Sequence, residues 1–584
     1  MKHNYTFPTP AFLRFLKGYN KKQFSTDLMA GIIVGIVAIP LAIAFGIASG
    51  VGPTEGLITA IIAGLIISLL GGTKVQIGGP TGAFIVIIYG IIQQHGITGL
   101  MIATIMAGIL LIVMGLCKLG NVIKFVPYPV VVGFTGGIAL TIFSTQMNDF
   151  FGLGIENIPA DFIHKWICYA NSYASIDWWS FGVAICSLLI IIFSPKISKK
   201  VPGSLVAIIV ATLAVWLLKE YGVWEGAKSI TTIGDLYELP DGIPVPKAPE
   251  LAMQDGETVV SLIQNLFPAA FTIAMLGAIE SLLSAIVADG IVGSKHDSNA
   301  ELVGQGIANI ATPFFGGIPA TGAIARTMTN INNGGRTPVA GVIHAFVLVL
   351  VLLFMGGLVG MIPMPCLAAV LVMVSYNMSG WRTFVSLAKS PKSDFAVLIT
   401  TFFLTVVFDL TIAIEIGLLL AVILFLRRTS ESASIKTFHG EIDPNTEADF
   451  DSHDEKLQIP EHTEVYEIDG PYFFGIANKF DELAATSTFV NQMTPEVRII
   501  RMRKVPFVDA TGLHNLEMFV QKSHEDKMHV ILSGVRPEVL RVIKHTTLYK
   551  EIGEENIYDN INSALERASQ VVNDPKTHHR KHQS

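Results

Sequence analysis

The sequence predicts an α-helical membrane protein with many transmembrane segments, followed by a small α/β domain towards the C-terminus. The first observation is compositional: 51% of the 584 residues are hydrophobic and only 15% are charged, against about a quarter in a typical soluble domain. The second is that the charges cluster before residue 30 and after residue 426, with long apolar runs between them. The third is that strand and helix patterns alternate after residue 460.

The apolar runs predict about fourteen membrane spans, because with their neutral flanks most approach the roughly 17 to 25 residues that cross a hydrocarbon core. We place them at 24–48, 55–71, 80–94, 98–117, 124–146, 177–194, 203–219, 260–290, 300–315, 321–333, 338–360, 365–380, 393–409 and 411–427. The third and tenth are too short to cross alone. The transmembrane domain, 24–428, then divides into seven-span repeats at about 24–220 and 260–428, and an odd number of spans inverts the second repeat.

Charges in the loops predict the orientation, because Lys and Arg prefer the cytoplasmic side of a membrane. With the N-terminal segment 1–23 inside, basic residues fall in the inner loops, at Lys74, Lys118, Lys124, Lys196, Lys199, Lys200, Lys295, Arg336, Arg382, Lys389 and Lys392. The outer loop at about 220–259 is acidic. We therefore expect a multi-pass protein of the cell inner (plasma) membrane with both termini in the cytoplasm.

The chain after residue 428 is predicted to contain a linker, a soluble domain and a tail. The linker, 429–460, is polar and acidic, and the basic tail, 573–584, is expected to be disordered. Between them lie three strand patterns and four helix patterns, at 465–474, 497–502 and 529–532 and at 476–487, 511–526, 536–545 and 560–570. Strands that alternate with helices predict an α/β domain at 461–572.

A short motif occurs twice, 240 residues apart, each time at the start of one of the two short spans. Thr81-Gly82-Ala83 follows Gly78-Gly79-Pro80, and Thr321-Gly322-Ala323 follows a Gly/Pro-rich stretch at 316–320. Matched, interrupted segments in the two halves of a membrane protein indicate a transporter whose substrate site lies at the broken helices.

The chemistry of the motif favours an anion as the substrate. A helix N-terminus carries partial positive charge and unpaired N–H groups, and glycine lets a ligand approach the backbone closely. The predicted anion-binding residues of the two motifs are Gly79, Pro80, Thr81, Gly82, Ala83, Thr321, Gly322 and Ala323. The alternative is that the glycines only pack helices together at ordinary helix starts.

Arg326, about five residues into the second short span, completes the predicted anion site. A cation within a membrane segment is costly, so it marks a functional position by default. Its guanidinium would add positive charge to the two helix N-termini. The alternatives are that it extends to a membrane interface or forms a structural ion pair with Glu280.

Glu280 and Ser284 lie one helical turn apart in the eighth span and are the predicted coupling-ion site. A carboxylate beside a hydroxyl suits proton uptake, or Na⁺ binding through oxygen ligands. The alternative is a structural ion pair of Glu280 with Arg326, and a pair that breaks on ion binding would satisfy both interpretations. We find no catalytic triad, Walker loop or metal-ligand spacing, and so expect no enzyme activity and no cofactor other than a coupling Na⁺ or H⁺.

Three stretches resemble the sulfate permease (SulP) family, the bacterial relatives of prestin and pendrin. They are residues 39–50 (IPLAIAFGIASG), 78–82 (GGPTG) and 319–327 (PATGAIART). The resemblance implies a core domain and a gate domain built from seven plus seven helices, an elevator-like motion and a homodimer. It also implies an anion between the third and tenth helices. Members of this family carry sulfate, bicarbonate, chloride, oxalate or C4-dicarboxylates.

Residues 506–512 (PFVDATG) resemble the strand-to-helix turn of a STAS domain, the module shared with anti-sigma-factor antagonists. Thr511 matches the position that is phosphorylated in some antagonists. Most STAS domains of transporters are not known for this modification. We therefore rank phosphorylation below a scaffolding role in which the domain binds a cytoplasmic protein partner.

The predicted function is secondary active transport of a small anion across the lipid bilayer: H⁺- or Na⁺-driven symport of sulfate, bicarbonate or a C4-dicarboxylate. The first-span stretch, with Glu280 and Ser284, resembles sodium-dependent bicarbonate transporters, in which an acid and a hydroxyl on the eighth helix are implicated in sodium binding. Arg326 instead favours proton-coupled dicarboxylate carriers and general SulP members.

Three alternatives stay open at this point. The first is an uncoupled anion exchanger, channel or motor, which would need no acid at Glu280. The second is a membrane signalling scaffold that acts through its STAS domain. The third, the nucleobase permease group, uses an acid on the tenth helix where this chain has Arg326. No feature of the sequence predicts nucleic-acid binding.

Overall fold

The computed structural model describes the chain from residue 9 to residue 573 with several gaps. The described residues are 9–15, 19–121, 126–155, 158–159, 161–197, 202–221, 228–237, 246–247, 259–354, 356–408, 410–442, 457–476 and 495–573. The chain divides into two compact units, Met1–Ala421 and Val422–Ser584.

The first unit is helical, as the apolar runs predict. Its first half contains α1 (Ala11–Phe15), α2 (Lys21–Ala48), α3 (Pro53–Leu70), α4 (Ile85–Leu116), α5 (Tyr128–Thr145), α6 (Met147–Phe151), α7 (Phe162–Asn171), α8 (Trp178–Ile197) and α9 (Gly203–Glu220). Gly96 has a φ of 67° and kinks α4. This kink separates the predicted third and fourth spans.

The second half repeats this series of long helices. It contains α10 (Ile233–Leu236), α11 (Val259–Val292), α12 (Ser298–Ala311), α13 (Ile324–Asn332), α14 (Val339–Phe354), α15 (Gly356–Gly360), α16 (Met364–Met378), α17 (Trp381–Leu387), α18 (Lys392–Val407) and α19 (Leu410–Ser432). Two-residue strands, β1 (Gly78–Gly79) and β2 (Thr321–Gly322), precede α4 and α13. Every predicted span therefore coincides with a helix or with part of one.

Eight helices in the described part of the chain are long and apolar enough to cross a membrane by length and composition. α14 is apolar but shorter. The short α13 was expected not to cross alone. The protein is thus a multi-pass membrane protein, and a total of about fourteen spans stays a prediction.

Helix packing follows the reciprocal pattern of two related halves. α14 packs against α2 and α3, and its counterpart, the second part of α4, packs against α11 and α12. In the same way α18 packs against α5, and α8 packs against α16. Each repeat therefore packs several of its helices against helices of the other repeat.

The contact between α4 and α12 depends on two small residues. A Cβ atom built on Gly108 would lie 2.6 Å from the backbone oxygen of Gly306, and one built on Gly306 would meet the oxygen of Gly108 at 2.5 Å. The two helix backbones are therefore in direct contact at this point, as glycines allow in membrane helices.

We predict that Gly108→Ala lowers the thermal stability of the full-length protein purified in detergent. The added methyl group forces the two helices apart, and overpacking of this kind costs about 1–3 kcal/mol. Gly182→Ala is the matched control, because a Cβ on Gly182 in α8 meets nothing within 4 Å. An equal melting temperature for both variants would contradict the close contact.

The second unit is built on a five-stranded sheet in the order β3-β6-β7-β8-β9. Its strands are β3 (Ser434–Phe438), β6 (Thr463–Asp469), β7 (Val497–Lys504), β8 (His529–Ser533) and β9 (Ile557–Tyr558). β3 is antiparallel to β6, and the other pairs are parallel. A separate pair is formed by β4 (Glu441–Ile442) and β5 (Leu457–Gln458). Helices Ala510–Glu525, Pro537–Ile543, Thr547–Ile552 and Ile561–Val572 complete the predicted α/β domain.

The predicted linker, 429–460, is wrong over part of its length. α19 extends to Ser432, and β3 is an edge strand of the sheet. Short polar strands are typical of sheet edges, which is why the sequence of β3 resembles a linker. The predicted helix 476–487 and the predicted tail 573–584 lie almost entirely outside the described residues.

Paired charges bind β6 to β7 in this sheet. Glu467 accepts a hydrogen bond from Arg501 at 2.8 Å and forms an ion pair with Lys504 at 3.0 Å. Burial disfavours the ammonium form of Lys504, but its hydrogen bonds to Glu467 and Asp469 outweigh burial and raise its pKa. The carboxylates therefore hold the lysine in its charged form.

Candidate functional site

The two copies of the repeated motif meet in the middle of the first unit. β1 pairs with β2 in antiparallel register, with Gly78 opposite Gly322 and Gly79 opposite Thr321. The N–H of Ala323 adds a hydrogen bond to the carbonyl oxygen of Ile77 at 2.9 Å. Two segments more than 240 residues apart in the chain thus share one small backbone ladder.

Thr81 and the residues Thr321 to Ala323 are extended, which corrects the prediction that the motifs open the helices. A 3₁₀ turn begins at Gly82 and leads into α4, and α13 begins at Ile324. The helices start later because the residues before them are engaged in the β1–β2 ladder. Arg326 consequently lies in the first turn of α13, and not five residues into the helix as predicted.

The approach of Arg326 to the ladder requires a glycine at position 79. Gly79 has a φ of 151°, and a Cβ atom at this residue would overlap Nη1 of Arg326. The guanidinium therefore lies directly against the backbone of β1. Gly322 is constrained in a similar way, because a Cβ there would overlap the side chain of Gln76.

Arg326 is a buried cation with an unsatisfied donor. Its relative exposure is 1%. Nη1 donates a long hydrogen bond of 3.4 Å to the carbonyl oxygen of Gly78, and Nη2 has no partner among the described residues. No carboxylate oxygen of Glu280 lies within 4.0 Å of a guanidinium nitrogen of Arg326, the limit for an ion pair. The structural ion pair left open by the sequence is therefore not formed.

Glu280 instead binds the first motif. Thr81 Oγ1 donates a hydrogen bond to Glu280 Oε2 at 2.9 Å, which connects α11 to the start of α4. Ser284 points elsewhere: it is fully buried, and its hydroxyl donates to Thr327 Oγ1 at 3.3 Å. The two residues of the predicted coupling-ion site thus lie on one helix but have different neighbours.

A cavity of about 420 Å³ joins these elements. One wall consists of residues from both motifs and their helices, namely Pro80, Thr81, Gly82, Ala83, Ala323, Ile324, Ala325, Arg326 and Glu280. The opposite wall is mainly apolar and comes from α5, α16 and α19, with Phe134, Val374, Met378 and Ile414 among its residues. Gly79, Thr321, Gly322 and Ser284 do not line the cavity.

Oxygen ligands for a cation are present on the same wall. The Glu280 carboxylate and the Thr81 hydroxyl both border the cavity. In the described part of the chain, no group of three or more His, Cys, Asp and Glu residues could hold a metal ion. A cation in the cavity would therefore depend mainly on Glu280.

Several buried polar residues that hold the motifs were not predicted as site residues. Glu301 accepts hydrogen bonds from the backbone N–H groups of Gly72 and Thr73 at 2.9 and 3.1 Å, just before β1. Asn309 donates to the carbonyl oxygen of Ala320 at 2.8 Å and accepts from its N–H at 2.9 Å, just before β2. The signal that could have identified them is a polar face on helix α12, formed by Glu301, Gln305 and Asn309 at intervals of four residues.

Thr511 lies in the second unit, far along the chain from the cavity residues. It is exposed in the first turn of helix Ala510–Glu525. Asp509 caps this helix by accepting a hydrogen bond from the N–H of Gly512 at 2.7 Å. The hydroxyl is therefore accessible to solvent within this unit, and its phosphorylation stays a prediction.

Comparison with known families assigns both units. The sulfate permease family matches residues 24–401, and the STAS domain matches residues 456–564. The chain therefore belongs to the sulfate permease family and carries a C-terminal STAS domain. It is a membrane anion transporter of the sulfate permease type, a family whose members are transporters and not enzymes.

Two relatives show how far the similarity extends. The chain is 42% identical over 547 residues to the putative sulfate transporter YvdB of Bacillus subtilis (strain 168), covering 93% of this chain and 97% of that protein. It is 30% identical over 537 residues to the bicarbonate transporter BicA of Synechocystis, covering 87% and 88%.

Solved structures agree with the fold. The murine Slc26a9 anion transporter in its inward-facing state aligns with a TM-score of 0.84 at 17% identity, over 96% of this chain and 94% of that one. The transmembrane domain of a cyanobacterial BicA aligns with a TM-score of 0.58 at 30% identity, over 69% and 98%. These alignments confirm the predicted helical transporter fold followed by a STAS domain.

We predict that Gly79→Ala weakens anion binding to the purified protein, tested with sulfate, by about tenfold or more. The methyl group would displace the Arg326 guanidinium, and the loss of one hydrogen bond to a charged group, roughly 1.5–3 kcal/mol, is of this size. Gly90→Ala in α4 is the control, because a Cβ there meets nothing within 4 Å. Equal sulfate dissociation constants for the two variants would contradict the contact between residue 79 and the guanidinium.

Proposed function

We propose that this protein is a cation-coupled symporter that carries sulfate across the membrane by an elevator mechanism. The observation that carries the proposal is the unpartnered Nη2 of Arg326, on a buried guanidinium that borders the cavity between the two motifs. A buried, unsatisfied donor is costly, and an oxyanion in the cavity would satisfy it.

The electrostatics of the cavity wall support an anion as the substrate. Arg326 carries a full positive charge, and the N-terminal ends of α4 and α13 add partial positive charge on the same wall. A planar guanidinium with free N–H groups matches the oxygen atoms of an oxyanion. Apolar residues on the opposite wall reduce the screening of these charges by water.

The charge balance supports coupling to a cation. Before substrate binds, the charge of Arg326 is offset by that of Glu280 on the same wall. An added anion would leave the cavity with net negative charge inside a low-dielectric membrane, which is unfavourable. A proton or Na⁺ at Glu280 removes part of this charge, so cation and anion would bind more tightly together than separately.

Sulfate is the favoured substrate because the relative at 42% identity, YvdB, is described as a putative sulfate transporter. Bicarbonate is the second candidate, favoured by the 30% identity to BicA. Both are small oxyanions that suit a single guanidinium. A C4-dicarboxylate, with two separated carboxylates, would leave its second carboxylate against the apolar wall.

The composition of the cavity supports the elevator mechanism. One wall belongs to the paired repeats around the β1–β2 ladder and the other to α5, α16 and α19. A substrate held by the ladder could cross the membrane if the first group moves as a body against the second. We place this cycle in the inner (plasma) membrane, with cytoplasmic termini, in a homodimer.

We predict that Arg326→Ala weakens sulfate binding by about ten- to hundredfold, because it removes a charge-assisted contact worth roughly 1.5–3 kcal/mol. The measurement is a titration of purified full-length protein with radiolabelled sulfate. Arg382→Ala is the control, since Arg382 is exposed and stacks on Trp381. An unchanged dissociation constant in a folded Arg326→Ala protein would rule out the proposed anion site.

We predict that Glu280→Gln reduces the accumulation of sulfate in proteoliposomes while sulfate–sulfate exchange continues. The loss of one coupled cation lowers the limiting concentration ratio by the size of that cation's gradient, about tenfold for a tenfold gradient. Glu55→Gln is the control, because Glu55 lies in the first turn of α3 and does not border the cavity. Accumulation equal to that of the unmodified protein would refute coupling at Glu280. If no cation gradient drives uptake by the unmodified protein itself, an uncoupled exchanger or channel is favoured instead.

A further inference from the structure

A buried histidine lies directly behind the proposed anion site. His344, in the middle of the apolar helix α14, has a relative exposure of 0%. Neither ring nitrogen has a hydrogen-bond partner in the described part of the chain. An imidazole always presents at least one N–H or N⁺–H donor, so its burial without a partner is unfavourable and calls for an explanation.

The position of the ring connects it to Arg326. A Cβ built on Gly64 of α3 would lie 3.3 Å from Nδ1 and Cε1 of His344, and also 3.3 Å from the carbonyl oxygen of Gly78. That same oxygen accepts the hydrogen bond of Arg326 Nη1. The imidazole and the guanidinium therefore both lie close to the first strand of the ladder.

Other charged groups lie further along the helices that pack on α14. On α2, Asp27 binds Thr337, seven residues before His344, through a hydrogen bond of 2.6 Å. On α3, Glu55 lies in the first turn, nine residues before Gly64. Of these charges, Arg326 is therefore the one that lies near this imidazole, and its positive field adds to burial in opposing an imidazolium.

An anion at Arg326 would reverse this effect. The negative charge of a bound oxyanion offsets the guanidinium and makes a second positive charge nearby favourable. Divalent sulfate also requires a further positive charge, because the charges of Arg326 and Glu280 cancel and sulfate adds two negative charges. One cation at Glu280 neutralises only one of them.

We propose that His344 binds a proton from water when sulfate binds at Arg326, and thereby supplies the second positive charge that is carried with the anion. The inference rests on the proposed function. The step forms one N–H bond on the imidazole and releases the proton when sulfate leaves. By linkage, sulfate affinity must then rise as pH falls, to the same extent that sulfate promotes proton binding.

The test is a count of protons taken up per sulfate bound, in weakly buffered solution, with full-length protein in detergent. His344→Gln should still bind sulfate but take up about one proton fewer than the unmodified protein. Its sulfate affinity should also depend less on pH, because one linked proton changes the affinity by up to about tenfold per pH unit. His164→Gln is the control, since His164 is exposed and pairs with Asp161. Glu280→Gln should retain the proton that His344 binds.

Infrared difference spectroscopy on ¹³C-histidine-labelled, otherwise unmodified protein makes the test independent of variant folding. Addition of sulfate should produce an imidazolium signal. Its absence, or an unchanged proton count in His344→Gln, would overturn the inference while sulfate binding through Arg326 still stood. If the unmodified protein binds no sulfate at any pH, the proposed function fails for sulfate and this inference fails with it.

Discussion

The antiparallel pairing of Gly78–Gly79 with Thr321–Gly322 is the constraint on which the arrangement of the site depends. Strands of two residues are not stable alone, so their position must be fixed by the residues around them. Thr321 donates a hydrogen bond to the carbonyl oxygen of Gly277 at 2.8 Å. Asn309 hydrogen-bonds both the N–H and the carbonyl oxygen of Ala320, and Glu301 accepts a hydrogen bond from the turn before β1. These contacts come from α11 and α12 of the second repeat, and Glu301 binds the chain of the first repeat, so the ladder forms only when the two halves of the membrane unit are interlocked.

The same network explains how a guanidinium can remain buried without an ion pair. Most polar groups around the ladder satisfy one another, as in the cluster where Gln76 donates to Ser281 at 2.8 Å and Ser281 donates to Glu301 at 3.1 Å. Arg326 Nη2 is left without a partner among the described residues, and Arg326 borders the cavity. In a low-dielectric environment this leftover donor is a strong attraction for an oxyanion, and it is costly while the cavity holds none. In the proposed function, specificity for anions and coupling to a compensating cation therefore have the same physical origin.

Much of this architecture could be predicted because hydrophobicity determines it locally. Uninterrupted apolar runs correctly indicated the helices, the short third and tenth spans, and even the break near Gly96. The 240-residue repeat indicated that residues 78–83 and 316–323 belong to one site. What the sequence could not reveal was the strand pairing, because Gly78–Gly79 and Thr321–Gly322 have no strand pattern and pair only through distant contacts. The separate directions of Glu280 and Ser284, and the proximity of His344 to Gly78, likewise depend on helix rotation and packing, which no local pattern specifies.

The central claim is that an oxyanion binds against Arg326 beside the β1–β2 ladder. The most direct measurement is a crystal structure of the full-length protein with selenate, a sulfate analogue whose anomalous signal marks its position without reference to the surrounding side chains. We expect an anomalous peak within hydrogen-bonding distance of Arg326, between Thr81 and Ala323. A selenate bound elsewhere in the first unit, with the Arg326 guanidinium untouched, would contradict the account.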